Sequence, residues 1–132
     1  MTTPIRFDGG ARPNPGPAAI GYVVGADEDE PTEGSQFIGE ATNNEAEYEA
    51  LIAALEAALD EGRTAVDVEG DSQLIVKQVQ GDWQVNESHL ARLREQVQEL
   101  AGKFDQFEIS HVPRNANSTA DALVDDAFPD QT

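Results

Sequence analysis

Residues Arg6 to Tyr22 read RFDGGARPNPGPAAIGY. The stretch opens and closes as strand: Ile5 and Phe7 alternate at its start, and Ala18-Ala19-Ile20-Gly21-Tyr22-Val23-Val24 resumes the apolar run. Between the two lie Asp8, two glycines and Pro13-Asn14-Pro15-Gly16-Pro17. Apolar runs bounded by Gly, Pro and Asn predict two strands, 3–9 and 18–25, joined by a stiff turn poor in side chains. Asp8 then sits on a strand otherwise built for burial. A buried carboxylate is costly unless it is paired or binds metal.

Working outward, the acidic run Asp27-Glu28-Asp29-Glu30-Pro31 lies between apolar runs and reads as a hairpin tip. A third strand, 35–41, follows it. Tyr48, Leu51, Ile52, Leu55, Ala58 and Leu59 recur at helical spacing and predict a helix over 44–60, with Asn44 as N-cap and Gly62 as stop. Val66 and Val68 alternate with acids in a strand over 64–70. Helices over 72–80 and 88–101 come next, then a strand over 105–112 in which Phe107, Ile109 and His111 share a face, and a last helix over 118–127. Three strands on short loops form an antiparallel meander. Two later strands, each reached through a helix, add in parallel by right-handed crossovers. The expected class is α/β: a mixed five-stranded sheet flanked by helices, within one domain spanning 1–132.

The chain has 132 residues, enough for one domain with a proper core. It has no cysteine, which rules out disulfides and thiolate metal sites. No apolar run approaches the ~20 residues of a membrane span, and MTTPIRFDG carries no signal-peptide h-region. A cytoplasmic, membrane-free protein is expected. Twenty-six acids stand against eight bases, for a net charge of −18, and Lys77 and Lys103 are the only lysines. Disorder is one reading of such a balance, but 39% hydrophobic content with regular periodicity argues against it. A cation-rich partner is another. Acids spread over most segments around an ordinary core fit a very salty cytoplasm best, because molar salt screens repulsion within roughly 3 Å. An extreme halophile is the expected source.

Four acids occupy positions that a merely acidic surface would not favour. Asp8 lies in or just after the first strand, Glu47 and Asp121 in first helical turns, and Asp71 after Gly70 where the fourth strand ends. Asn44/Glu47 and Ser118/Asp121 also have the spacing of capping boxes, and acids in a first turn favour the helix dipole. Asp8 and Asp71 are harder to explain that way, since both interrupt apolar sequence beside glycine. Oxygen-only ligands suit Mg²⁺ or Mn²⁺, and a pair of such ions clamps an in-line displacement at phosphorus. Composition and spacing thus point toward a metal-dependent enzyme acting on phosphate esters, with capping and surface charge as the open alternative.

The chain resembles type 1 ribonuclease H along nearly its whole length, in the blocks FDGGARPNPGPAAIGYVV, TNNEAEYEALIAALEAAL, GDSQLIVKQVQGDW and HVPRNANSTADALV. The resemblance implies the ribonuclease H-like fold and, in combination with the charge, a halophilic archaeal member. It implies hydrolysis of the RNA strand of an RNA–DNA hybrid by a two-metal-ion mechanism, with Mg²⁺ or Mn²⁺, leaving 3′-hydroxyl and 5′-phosphate ends. The family's four catalytic, metal-ligating carboxylates fall on Asp8, Glu47, Asp71 and Asp121. His111 matches the position whose imidazole assists proton transfer or product release. Gly9 would let the substrate backbone approach, and the Pro-rich run would present Asn14 to the minor groove. Asn43, Asn44 and Gln73 would contact the hybrid, partly through 2′-hydroxyls. Thr42 would lie near a DNA-strand phosphate, Asn117 near substrate or water, and Trp83 matches an aromatic after the second helix. A monomer is expected.

Some family members carry a basic, Trp-rich helix-loop that grips the hybrid. Here that segment is Gln80-Gly81-Asp82-Trp83-Gln84-Val85-Asn86-Glu87, short and not basic. Affinity would then rest on few phosphate contacts, with Arg12, Lys77 and Arg114 as candidates. Two other readings compete: a non-catalytic acidic module that binds divalent ions or adapts proteins, and another nuclease of the ribonuclease H-like superfamily. The first predicts scattered acids without convergent geometry. Asn14, Asn43/Asn44 and Gln73 together favour ribonuclease H over the second.

Overall fold

The computed structural model describes residues 2–129. Strands β1 (Thr3–Ala11), β2 (Gly16–Val24) and β3 (Thr32–Ala41) form the antiparallel meander. Helix α1 (Asn43–Asp60) leads to β4 (Ala65–Gly70), which lies parallel to β1. Helices α2 (Gln73–Gln80) and α3 (Ser88–Ala101) precede β5 (Gln106–His111), which lies parallel to β4. A single 3-10 turn, Arg114–Ala116, introduces α4 (Ser118–Ala127). The sheet order is β3-β2-β1-β4-β5, the mixed five-stranded arrangement that the element order implies.

The first two strands run further than composition suggests. Gly10 pairs with Ala19 and Ala11 with Ala18, while Arg12 N donates to Pro17 O at 2.8 Å. The connection therefore shrinks to residues 12–15. Glycine and proline read locally as turn, but pairing with Ala41 and Glu40 of β3 holds Gly16 and Pro17 in the sheet. β3 likewise starts at Thr32 rather than 35, which leaves residues 25–31 for the acidic hairpin tip.

Helix α1 packs on the sheet through the stripe that its periodicity predicts. Tyr48, Leu51, Leu55 and Ala58 are fully buried against Ile5, Phe7, Val66 and Val68. Each large aliphatic side chain so buried contributes about 1.5–3 kcal/mol. The helix starts two residues earlier than an Asn44 cap would place it. Thr42 is the N-cap: its hydroxyl accepts from Glu45 N, and the Glu45 carboxylate accepts from Thr42 N. Thr-x-x-Glu closes both ends of a capping box, so it displaces the Asn44/Glu47 alternative. At the other end Gly62, at φ +75°, makes the left-handed stop.

Helix α4 covers the opposite side of the meander, against β2, β1 and β3. Its N-cap is Asn117, which makes no side-chain capping bond, so Ser118/Asp121 is not a capping box either. Neither Glu47 nor Asp121 is thus accounted for by capping.

Candidate active site

The site grows from a half-open strand edge. β4 accompanies β1 only as far as the pair Phe7↔Gly70, so Asp8 to Ala11 continue without a neighbour on that side. Buried backbone groups left this way need partners. Three side chains supply them: Gly9 N donates to Glu47 Oε1 at 2.7 Å, Ala11 N donates to Asn43 Oδ1 at 2.6 Å, and Asn117 Nδ2 donates to Phe7 O at 2.9 Å. The end of one strand thus draws together α1, β1 and the segment before α4.

Gly9 makes this closeness possible. A Cβ there would stand 2.3 Å from Ala46 O, so only glycine lets the first turn of α1 lie against β1. Its requirement is internal packing, whatever else the residue does.

Asp8, Glu47 and Asp71 each place a carboxylate oxygen within 4.8 Å of the others. They line a cleft of about 390 Å³, shared with Asp121, Arg12, Asn43, Asn44, Ser72 and Arg114. Asp8 and Glu47 are 8% and 7% exposed, and no Lys or Arg among the described residues pairs with Asp8, Glu47 or Asp71. Burial, then the charge of Asp71 and a hydrogen bond with Asp121, pushes the Asp8 carboxyl up to about 7. Burial and the charges of Asp8 and Asp71 hold Glu47 well above its ordinary value, against the lowering effect of the Gly9 amide. No side-chain cation pairs with the like charges of Asp8, Glu47 and Asp71 among the described residues. An all-oxygen, anionic donor set fits a hard divalent ion that keeps some of its waters.

Asp121 stands on the same cleft wall, with Arg114 Nη2 3.6 Å from its Oδ1. Asn117 is 1% exposed, and its amide also reaches Asp71 Oδ2 at 3.3 Å, while its Oδ1 has no partner. Asn14 is exposed at the rim, and its Oδ1 accepts from Asn43 N at 3.0 Å. Thr42 is committed to its capping box. Gln73 opens α2 as an exposed residue outside the cleft lining. His111 ends β5, exposed and in register with Gly70, the residue before Asp71, but it does not line the cleft. Trp83 is 44% exposed.

The sequence reading did not single out Asp125 and Phe128. Asp125 accepts a hydrogen bond from Arg12 Nη2, and the Arg12 guanidinium lies 4.5 Å from the Phe128 ring centroid. No local signal marks a contact between residues 113 positions apart.

Residues 6–127 match the protein-family model described as reverse transcriptase-like. A ribonuclease HI of Halobacterium salinarum is 52% identical over 125 residues, covering 94% of this chain; the chain spans 63% of that relative's length. The crystal structure of RNase H1 from the same halophilic archaeon superposes with a TM-score of 0.92 at 49% identity, covering 96% of this chain and 97% of that one. LC11-RNase H1, solved in complex with an RNA/DNA hybrid, superposes at 0.89 with 41% identity and 96% coverage of both chains. A halophilic relative also fits the salt reading of the charge. With the sheet order, the carboxylate cleft and identity near one half in agreement, the chain belongs to the type 1 ribonuclease H family.

Proposed function

We propose that this chain is a metal-dependent endonuclease that hydrolyses the RNA strand of RNA–DNA hybrids, leaving 3′-hydroxyl and 5′-phosphate ends. The observation that carries this reading is the convergence of carboxylates from β1, α1 and the end of β4 in one cleft, two of them buried with no Lys or Arg paired to them among the described residues. Asp8, Glu47, Asp71 and Asp121 would hold two Mg²⁺ or Mn²⁺ ions. When bound, such ions supply an activated water and stabilise charge on the leaving oxygen. The Gly9 amide holds Glu47 in place, and Asn117 steadies Asp71. His111, exposed beside the cleft, serves proton transfer or product release. Gly9, Asn14, Thr42, Asn43, Asn44 and Gln73 would lie along the hybrid, with the 2′-hydroxyls marking the RNA strand. The hybrid bound by LC11-RNase H1 supports the substrate class.

No helix among the described residues is long and apolar enough to cross a membrane. A monomeric catalytic domain over 1–132, acting in the cytoplasm, completes the proposal. Incubation with a labelled hybrid, with and without Mg²⁺ or Mn²⁺ across a salt series, tests it. Divalent-dependent cuts confined to the RNA strand are expected. Divalent binding without cleavage would leave the ion-binding module as the better reading.

A further inference from the structure

The three cations that the sequence offers as phosphate contacts each face an acid, and two of them, Arg12 and Arg114, line the carboxylate cleft. Arg12 bonds Asp125, Lys77 lies 3.7 Å from Asp82, and Arg114 lies 3.6 Å from Asp121. Arg12 differs from the other two in how it is held. Its backbone N donates to Pro17 O at 2.8 Å. The preceding residue, Ala11, bonds Asn43, and Asn14 bonds the same asparagine's backbone. The guanidinium plane lies over Phe128, whose ring meets Phe37 edge-on at 6.3 Å. Backbone and side chain are both fixed, yet the side chain remains 50% exposed on the cleft lining.

A guanidinium presents five donors in a rigid fork that matches a phosphate. Asp125 accepts from Nη2 alone. Exchange of that carboxylate for a phosphodiester is inexpensive, since an exposed ion pair between half-exposed side chains is weak. The aromatic face stays under the guanidinium in either state.

We propose that Arg12 anchors a backbone phosphate of the nucleic-acid substrate and that Asp125 is a built-in competitor for that anchor. The proposal rests on the reading of the chain as a nuclease acting on hybrids. Its consequence is specific. In a chain of net charge −18, Asp125 silences one of the few cations at the cleft, so removing an acid there should strengthen binding through Arg12 and through nothing else.

Hybrid binding is measured by fluorescence anisotropy across a salt series, with all variants in an Asp71→Asn background that stops cleavage. Asp125→Asn should tighten binding roughly twofold to fivefold, the range set by one exposed ion pair. Arg12→Ala should weaken it and make the slope of log K against log salt shallower by about one. The double variant should match Arg12→Ala, and Asp126→Asn, at the adjacent exposed acid, should change little. Arg12→Lys, which keeps charge but not the fork, should fall between. A purely structural role for Arg12 would lower the melting temperature and leave the salt slope untouched, which overturns the proposal. Equal tightening by Asp125→Asn with and without Arg12 overturns it too, since general charge relief would then suffice. Cleavage by the unmodified chain is assayed first: no cleavage means the nuclease reading fails, whereas cleavage with an indifferent Arg12→Ala means that only this inference fails.

Discussion

The Gly9 amide donates to Glu47 Oε1 at 2.7 Å across the seam between β1 and α1, and a Cβ on Gly9 would lie 2.3 Å from Ala46 O. One position therefore sets both the helix-to-strand distance and the place of a buried carboxylate. Gly9→Ala must push α1 off β1, because the obstructing atoms are backbone. Overpacking of this kind costs about 1–3 kcal/mol or more. Gly10→Ala is the control, since its nearest neighbour would be Asn43 Oδ1 at 3.7 Å. A large drop in melting temperature and weakened Mn²⁺ binding are expected for the first substitution alone. Equal melting temperatures for the two variants would refute the account.

Asp8→Asn and Asp71→Asn should each abolish cleavage with the fold intact, because they remove a ligating charge and almost no volume. Above pH 7, where Asp8 is ionised, both should also raise the melting temperature in chelator, since each relieves repulsion within the carboxylate cluster. Circular dichroism melts with a hybrid-cleavage assay check the pair of outcomes. Near wild-type turnover in either variant would reject the assignment.

The Asp8 shift gives a pH dependence of definite sign. The folded state keeps this proton up to about pH 7, and the unfolded chain releases it near 3.8. Between those values the folded state binds more protons, so the metal-free protein loses stability as pH rises through that window. Glu47 is raised as well and acts in the same direction. A divalent ion competes with these protons. Calorimetric titration with Mn²⁺ in buffers of different ionisation enthalpy should show more proton release at about pH 6 than at about pH 8. Release of equal size at both pH values would contradict the raised Asp8.

His111→Ala should slow turnover moderately, because general acid–base help is typically worth ~10²–10⁴-fold. The loss is smaller if the imidazole only speeds product release. His111 is exposed and lies outside the carboxylate cluster, so divalent affinity should not change. An unchanged pH–rate profile would count against a role in proton transfer.

Salt brings two opposed effects. Phosphate contacts weaken as salt rises, but few cations make them here. Self-repulsion of a chain with 26 acids and eight bases destabilises the compact state at low ionic strength. The protein should be marginal in dilute buffer with chelator, and either molar salt or millimolar-range Mg²⁺ or Mn²⁺ should restore it. A melting temperature flat across a salt and divalent matrix would sink both the halophile inference and the claim that metal offsets carboxylate repulsion.

Much of the architecture was legible in residue order. The stripe Tyr48, Leu51, Leu55 and Ala58 specifies α1 by period alone, and the left-handed stop at Gly62 is a local backbone event. Strands separated by short loops, then by helices, imply the mixed sheet before any contact is known. Acids beside glycine at Asp8 and Asp71 mark themselves, because carboxylates on apolar strands are costly unless compensated. What only the tertiary structure decided lies at longer range. Gly16 and Pro17 are strand because Ala41 and Glu40 of β3 pair with them, against their own turn propensity. The cap is Thr42, although Asn44 and Glu47 have the same spacing. Asp8 keeps its proton to about pH 7 because folding removes water from it and brings Asp71 and Asp121 beside it. Arg12 meets Asp125 and Phe128 only because α4 folds back across the meander. Propensity and period act over a few residues, whereas a carboxylate's charge state and a cation's partner depend on what packing sets beside them.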